Sequence, residues 1–253
     1  MSVLLKDLGN GIKSVIINDP KTYNSLSFKT LGSLIKIFKK LNNDNKTHVI
    51  VISGNGKGFS AGHNLKEVKS LKGRSKYLKL FNLCSKLMID IVECRKPVIA
   101  KVHGSAYAAG CQLAASCDLT YSSSDAKFAT PGVNIGLFCS TPMVAVSRSL
   151  GRKKTMEMLL TGESMNAEDA VSFGLINKNV PLNELEITVL NFAKLIASKP
   201  TSTVRIGKEA FYKQAELPIE KAYKYTSEVM AQNMLKKDAK AVSYTHLTLP
   251  TKA

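Results

Sequence analysis

Lys96-Pro97-Val98-Ile99-Ala100-Lys101-Val102-His103-Gly104-Ser105-Ala106-Tyr107-Ala108-Ala109-Gly110-Cys111-Gln112-Leu113 is the stretch on which the fold turns. It begins as a short apolar run, Pro97 to Val102, and stops at Gly104. Small residues lead to Gly110, and a helix-like run follows, Cys111 to Ser116. A strand that feeds a helix through small residues leaves backbone N–H groups unpaired and aimed into a cleft. Such groups can hold a developing oxyanion.

Working outward, His48 to Ser53 is a nearly continuous apolar run, as in a sheet buried on both faces. Ile12 to Asn18 reads as a strand ended by Asp19-Pro20. Ser27 can cap a helix from Phe28 to Leu41, with apolar residues at Leu31, Leu34, Ile35, Phe38 and Leu41. Lys76 to Cys94 has helical period, and Leu119 to Tyr121 reads as a further strand. Strands alternating with helices imply crossover units, so an α/β fold with parallel strands. After Thr141 helices dominate: Pro142 to Leu150, Lys153 to Leu160, Ala167 to Phe173, Leu182 to Ser198, Val204 to Tyr212 and Ile219 to Lys237. No repeat and no Pro/Gly/Ser-rich linker interrupts the chain.

The expected division is a core over 1–197, a helical region over 198–240, and a tail over 241–253. The tail is Thr-rich, lacks acidic residues and breaks the helical pattern before it, so it is read as non-native. No apolar run approaches the ~20 residues of a membrane span. Met1 to Asp7 lacks the basic head and long apolar stretch of a signal peptide, so the expected compartment is the cytoplasm. The five cysteines form no Cys-x-x-Cys pair, and no His partner stands at metal spacing. They are expected to be reduced and buried, and no metal site is expected. The net charge of +17 comes mostly from scattered lysines without aromatic interleaving. That is the pattern of a solvated face, and nucleic acid is not the expected partner.

A second segment, Gly58-Phe59-Ser60-Ala61-Gly62-His63-Asn64-Leu65-Lys66-Glu67, also follows a strand and bends through small residues. Two converging backbone donors are what a thioester oxygen needs when it becomes an enolate, and one donor is worth about 3–4 kcal/mol. With Pro97-Val98-Ile99-Ala100 before the first segment and Cys117-Asp118-Leu119 after it, the pair resembles the crotonase (enoyl-CoA hydratase/isomerase) superfamily. The resemblance extends to Asp19-Pro20 with Asn24-Ser25-Leu26, to Lys127-Phe128-Ala129-Thr130-Pro131, and to Asn134-Ile135-Gly136. It also takes in Met156 to Gly162 and Ala167 to Ile176, and so covers roughly Gly11 to Lys240. Gly110 to Asp118 together with Gly136 to Pro142 point to one branch of that family.

The resemblance implies a crotonase-like ββα spiral core with a C-terminal helical region that makes trimers or dimers of trimers. It implies an acyl-CoA thioester as ligand, coenzyme A being part of the substrate, with no separate cofactor. The basic surface suits that acidic ligand, and the mitochondrial matrix is the second expected compartment, should a transit peptide be absent from this sequence. The oxyanion donors would be the N–H groups of His63 and Ala109, with Gly110 adjacent. Ala61, Gly62, His63, Asn64 and Leu65 would line the coenzyme A path, and Lys21 would meet its phosphates. Where the family's hydratases carry two glutamates, this chain has Gln112 and Gly132. An amide can orient water but cannot accept a proton at neutral pH, and glycine offers only backbone. The usual acid–base pair, worth about 10²–10⁴ in rate, is therefore missing. Three readings stay open: an enzyme of altered chemistry such as a weak hydratase or a thioesterase, a non-catalytic acyl-CoA binder or scaffold, and an RNA binder acting through its lysines. His63 is the expected titratable side chain of the site, although its ring could equally point away. Cys139 is either packing or a nucleophile needing an activating base. Asp118 is expected to accept structural hydrogen bonds.

Overall fold

The computed structural model describes residues 1–236 and 239. Two short strands, β1 (Val3–Asp7) and β2 (Ile12–Ile17), lead into helix α1 (Phe28–Asn43). Strand β3 (Val49–Gly54) follows, then α2 (Leu65–Ser70) and α3 (Arg74–Val92). The quoted stretch supplies β4 (Val98–Val102), β5 (Ser105–Tyr107) and α4 (Ala109–Ala115). Next come β6 (Leu119–Ser123), β7 (Lys127–Ala129), α5 (Pro142–Val146) and α6 (Arg152–Thr161). The remaining elements are β8 (Met165–Asn166), α7 (Ala167–Ser172), β9 (Lys178–Val180), α8 (Leu182–Ala197), α9 (Thr201–Ala215) and α10 (Ile219–Met234).

The main sheet has the order β1-β2-β3-β4-β6-β9 and is parallel apart from the β1–β2 hairpin. A small second sheet, β5-β7-β8, lies beside it. This is the α/β arrangement with parallel strands that the alternation of strands and helices implied. The first five residues of β3 are all buried, which is why that strand reads as a solid apolar run rather than an alternating one. α1 and α3 pack on each other over the core, with Leu31, Leu34 and Phe38 meeting the cluster that also holds Leu80, Cys84 and Leu87. The Ser27 cap forms as expected, its hydroxyl accepting from Thr30 N–H at 3.2 Å. Asp118 ties the foot of β4 to β6: its carboxylate accepts from Val98 N–H at 2.7 Å.

The chain divides into two compact units, Met1–Ile196 and the part from Ala197 onward, and α9 and α10 of the second unit pack on each other. The segment read as non-native, 241–253, lies outside the described residues.

Four features differ from the expectation, the first being β9 (Lys178–Val180), which falls where only helices were expected. β1 was not anticipated. It is an edge strand with one buried residue, Val3, so it has almost no hydrophobic alternation to read. The strands of the second sheet are two or three residues long, below the length at which a period of two can be recognised. The helix expected over 142–150 ends at Val146, where Arg148 and Ser149 N–H groups turn back to the carbonyls of Ala145 and Val146.

Candidate functional site

The two small-residue segments are sewn together by their backbones. Phe59 and Ser60 N–H groups both donate to the Ser105 carbonyl at 3.1 Å, and Tyr107 N–H donates back to the Ser60 carbonyl at 2.9 Å. Ala61 N–H donates to the Tyr23 carbonyl and Leu26 N–H to the Gly62 carbonyl, which adds the 20–26 loop to the same knot. Buried Asn24 locks this third strand of chain: its amide donates to the Asn55 and Gly58 carbonyls at 2.7 and 2.8 Å and accepts from Asp19 N–H at 3.0 Å. Approach this close needs glycine at two points. A Cβ on Gly110 would overlap the Ser60 carbonyl, with the Ser60 carbonyl carbon 2.8 Å away. A Cβ on Gly62 (φ +87°) would stand 3.0 Å from Ala109 N.

Three N–H groups are left over where these segments meet. Among the described residues, neither His63 N–H nor Ala109 N–H has a hydrogen-bond partner, and Gly110 N–H has none either. Ala109 follows a strained residue: Ala108 sits at φ 49°, ψ −116°, a conformation that L-residues avoid. Its own N–H is tied to the Ala129 carbonyl at 2.9 Å and its carbonyl accepts from Gln112 N–H at 3.0 Å. The strain is thus held by the start of α4 on one side and β7 on the other, and it turns Ala109 N–H out of both. α4 begins at Ala109, two residues earlier than the sequence pattern suggests, because small residues carry no period.

The His63 ring turns inward. Its Nδ1 lies 3.2 Å from the Leu26 carbonyl, and its edge meets Phe81 of α3 at a centroid distance of 5.5 Å. Nε2 is sealed from solvent without a protein partner. Burial holds the imidazole pKa below the usual 6.5, the Leu26 carbonyl and Glu67 opposing that shift. The ring is therefore neutral at pH 7. Gln112 is buried in α4, and its Oε1 accepts from the Cys84 thiol of α3 at 4.0 Å. Burial pushes the Cys84 thiol up to about 12, so it remains a donor. Phe81 and Cys84 are three residues apart, on one face of α3, so His63 and Gln112 lean on the same face from two sides.

The 132–139 loop closes on itself. Leu137 N–H donates to the Gly132 carbonyl at 2.9 Å, and a Cβ on Gly132 would overlap the Leu137 carbonyl and stand 2.9 Å from the Cys139 sulfur. The Cys139 thiol thus fills the space where a side chain at 132 would begin. Its pKa is raised by burial, only partly offset by the Gly132 N–H, and no cation among the described residues lowers it. It packs rather than attacks. Restoring glutamates at both positions, Gln112→Glu with Gly132→Glu, is therefore expected to fail as a rescue of hydration. The 132 substitution alone should cost about 1–3 kcal/mol, readable as a lower thermal midpoint, whereas Gln112→Glu alone keeps the side-chain volume.

Asn64 caps α2 by accepting from Lys66 and Glu67 N–H groups, both at 3.1 Å. Glu67 in turn accepts from Phe28 N–H at 3.0 Å, fixing α2 to α1. Ala61 and Leu65 are exposed, Gly62 is buried, and Lys21 is an exposed residue of the same 20–26 loop. The residues missed from the sequence are Asn24, Ser60, Phe81 and Cys84. Asn24 stood in a recognised motif, but Phe81 and Cys84 read only as members of a helix. No three His, Cys, Asp or Glu side chains are grouped to hold a metal ion among the described residues.

The model of a family described as enoyl-CoA hydratase/isomerase matches residues 7–247. Enoyl-CoA hydratase domain-containing protein 3, mitochondrial, of Xenopus laevis is 45% identical over 229 residues, 90% of this chain and 78% of that protein. A crystal structure of an enoyl-CoA hydratase from Mycobacterium smegmatis superposes with a TM-score of 0.96 at 41% identity, covering 98% of this chain and 96% of that one. The crystal structure of human enoyl-CoA hydratase domain-containing protein 3 gives 0.94 at 42% identity, with 98% and 97% coverage. The branch to which Gly110–Asp118 and Gly136–Pro142 point is represented by two of these three. The chain belongs to the enoyl-CoA hydratase/isomerase family.

Proposed function

We propose that this chain binds an acyl-CoA thioester and polarises its carbonyl between the N–H groups of His63 and Ala109. What supports this reading is that the His63 and Ala109 N–H groups have no hydrogen-bond partner among the described residues and belong to two segments whose close approach depends on Gly62 and Gly110. Donors fixed by a rigid backbone need no reorganisation as charge develops, and each contributes about 3–4 kcal/mol to a transition state. The carbonyl so held is made electrophilic at its conjugated carbon, which suits addition to an enoyl thioester. Ala61 to Leu65 would line the path of the coenzyme A arm, with Lys21 placed on the neighbouring loop to meet its phosphates. The net charge of +17 favours such an acidic ligand. The chain works as a homotrimer or dimer of trimers in a reducing compartment, the cytoplasm or the mitochondrial matrix. Its five cysteines are all free, and among the described residues no helix is long and apolar enough to cross a membrane.

The second reading is an acyl-CoA binder without turnover, favoured by the absence of a carboxylate at positions 112 and 132. Incubation with crotonyl-CoA and longer enoyl-CoA esters separates the two. Loss of the enoyl absorbance marks the enzyme, and release of free thiol would mark a thioesterase instead. Saturable binding measured by calorimetry without either signal supports the binder. Absence of binding to every ester contradicts the proposal.

A further inference from the structure

We infer that the face formed by Lys66 to Lys79, which runs from α2 into the start of α3, is a docking surface for an anionic lipid membrane. It stands apart from the acyl-CoA reading, and either can fail without the other.

The lysines are scattered over the chain as a whole, and this segment is the exception. Six of its 14 residues are Lys or Arg, against 36 of 253 in the whole chain. They are Lys66, Lys69, Lys72, Arg74, Lys76 and Lys79, and all six are exposed. None has an ion pair among the described residues, whereas Lys13, Lys86, Lys101 and Lys154 each meet a carboxylate. The one acid of the segment, Glu67, is engaged with α1, its carboxylate accepting from Phe28 N–H at 3.0 Å. The placement also works against the local structure. α3 starts with no side-chain cap and no acidic residue in its first turn, where Arg74 and Lys76 stand instead. Cations there oppose the helix dipole, so the charge is not placed for the benefit of the helix.

The face is anchored from beneath. Val68 and Leu71 pack against the core, and the Tyr77 hydroxyl donates to the Leu71 carbonyl at 2.9 Å across the turn between α2 and α3. Two leucines remain outside, Leu65 just before the first lysine and Leu78 between Lys76 and Lys79, at 59% and 44% exposure. Cations interleaved with exposed apolar side chains suit the bilayer interface: anionic headgroups meet the charge, and the acyl boundary takes the leucines. A nucleic acid would instead need aromatic faces on which its bases can stack. The segment has one aromatic ring, Tyr77, half-buried with its hydroxyl engaged. The net charge of +17 adds long-range attraction to the same lipid. The contact is peripheral, since among the described residues no helix is long and apolar enough to cross a membrane.

Co-sedimentation of the full chain with vesicles tests this, using phosphatidylcholine alone and phosphatidylcholine with a third of phosphatidylserine. Binding is expected only to the anionic vesicles at about 0.1 M salt, with release at about 1 M, where the Debye length falls to about 3 Å. Each Lys or Arg near an anionic surface strengthens binding about fivefold, so Lys69→Glu, Lys72→Glu and Lys76→Glu together should weaken it by at least about 10²-fold. Lys46→Glu, Lys153→Glu and Lys178→Glu remove the same charge at exposed positions of other elements, and together they should weaken it by less than about fivefold. Leu78→Ser leaves every charge in place and should cost at least about threefold. Absence of binding, equal binding to both vesicles, equal losses in the two triple variants, or an unaffected Leu78→Ser would overturn the inference. Release by excess free coenzyme A would overturn it by assigning the cations to that ligand. Capture of polyuridine RNA in place of vesicles, lost in the first triple variant, would assign the face to nucleic acid and overturn it too. Should the first triple variant melt early, Lys69→Gln, Lys72→Gln and Lys76→Gln carry the comparison.

Discussion

Gly110→Ala is expected to lower stability by about 3 kcal/mol and to cost at least tenfold in acyl-CoA binding. The added Cβ overlaps the Ser60 carbonyl and sits 2.8 Å from its carbon and 2.9 Å from its Cβ. Neither side can yield cheaply. Ser60 is held through its carbonyl by Tyr107 N–H, through its N–H by Ser105, and through its hydroxyl by the Asn24 carbonyl at 2.9 Å. Gly110 lies in the first turn of a buried helix whose entry is already strained at Ala108. Overpacking of this kind costs about 1–3 kcal/mol where side chains can adjust, and backbone against backbone lies at the upper end. For a chain of this length that is a fall of roughly 10 °C in thermal midpoint. The functional loss has a separate cause: relief of the overlap moves Ala109 N–H away from His63 N–H. A displaced donor gives up its share of the oxyanion, about 10²–10³ in rate for one hydrogen bond. A variant with native melting and native binding would show that the two segments do not need their close contact.

Asn24→Ala carries the next largest effect, at least about 3 kcal/mol. Its side chain makes three hydrogen bonds, to the Asn55 and Gly58 carbonyls and from Asp19 N–H, and the residue is completely buried. Removal strands three backbone groups, each costing about 1–3 kcal/mol when sealed from water. Asn24 also adopts φ 56°, where alanine pays about 1 kcal/mol more than asparagine. Asn24→Asp is expected to fare little better. It keeps the shape and the acceptor but replaces the doubly donating NH₂ with an oxygen that faces the Asn55 and Gly58 carbonyl oxygens. Urea denaturation of the two variants reads the effect, and an Asp variant as stable as wild type would mean that the donors contribute nothing. Because Asn24 pins the Gly58 loop, the same variants should lose acyl-CoA affinity along with stability.

The fold was legible where its physics is local. β3 announces itself by five buried residues in a row, α1 by its Ser27 cap and apolar stripe, and the β4–α4 passage by its small residues. β1 and the three strands of the second sheet were not, because an edge strand and two- or three-residue strands hold too few positions to show a period. At the site, the backbone part was readable and the side-chain part was not. Small residues at 61–62 and 109–110 allow the two segments to approach closely, although the Ala61 and Gly62 N–H groups themselves are taken by the Tyr23 carbonyl and the Ser60 hydroxyl. The ring of His63 was open to two orientations, and the tautomer that Leu26 imposes on it depends on a carbonyl 37 residues away. The same holds for Cys84, whose partner Gln112 is 28 residues distant and whose own position reads as helix core. Gly132 read as a lost glutamate. The structure adds that Cys139 and the Leu137 carbonyl occupy the space, so the loss is built into the loop and is not a single substitution.

The most direct test of a thioester carbonyl held between His63 and Ala109 is the infrared spectrum of an acyl-CoA carrying ¹³C at its thioester carbon, bound to the protein. Two hydrogen bonds to the carbonyl oxygen must lower the labelled stretching frequency below that of the ester free in water, and Gly110→Ala must return it toward the free value. The account is contradicted if the ester binds saturably and its labelled band stays at the frequency of the free ester.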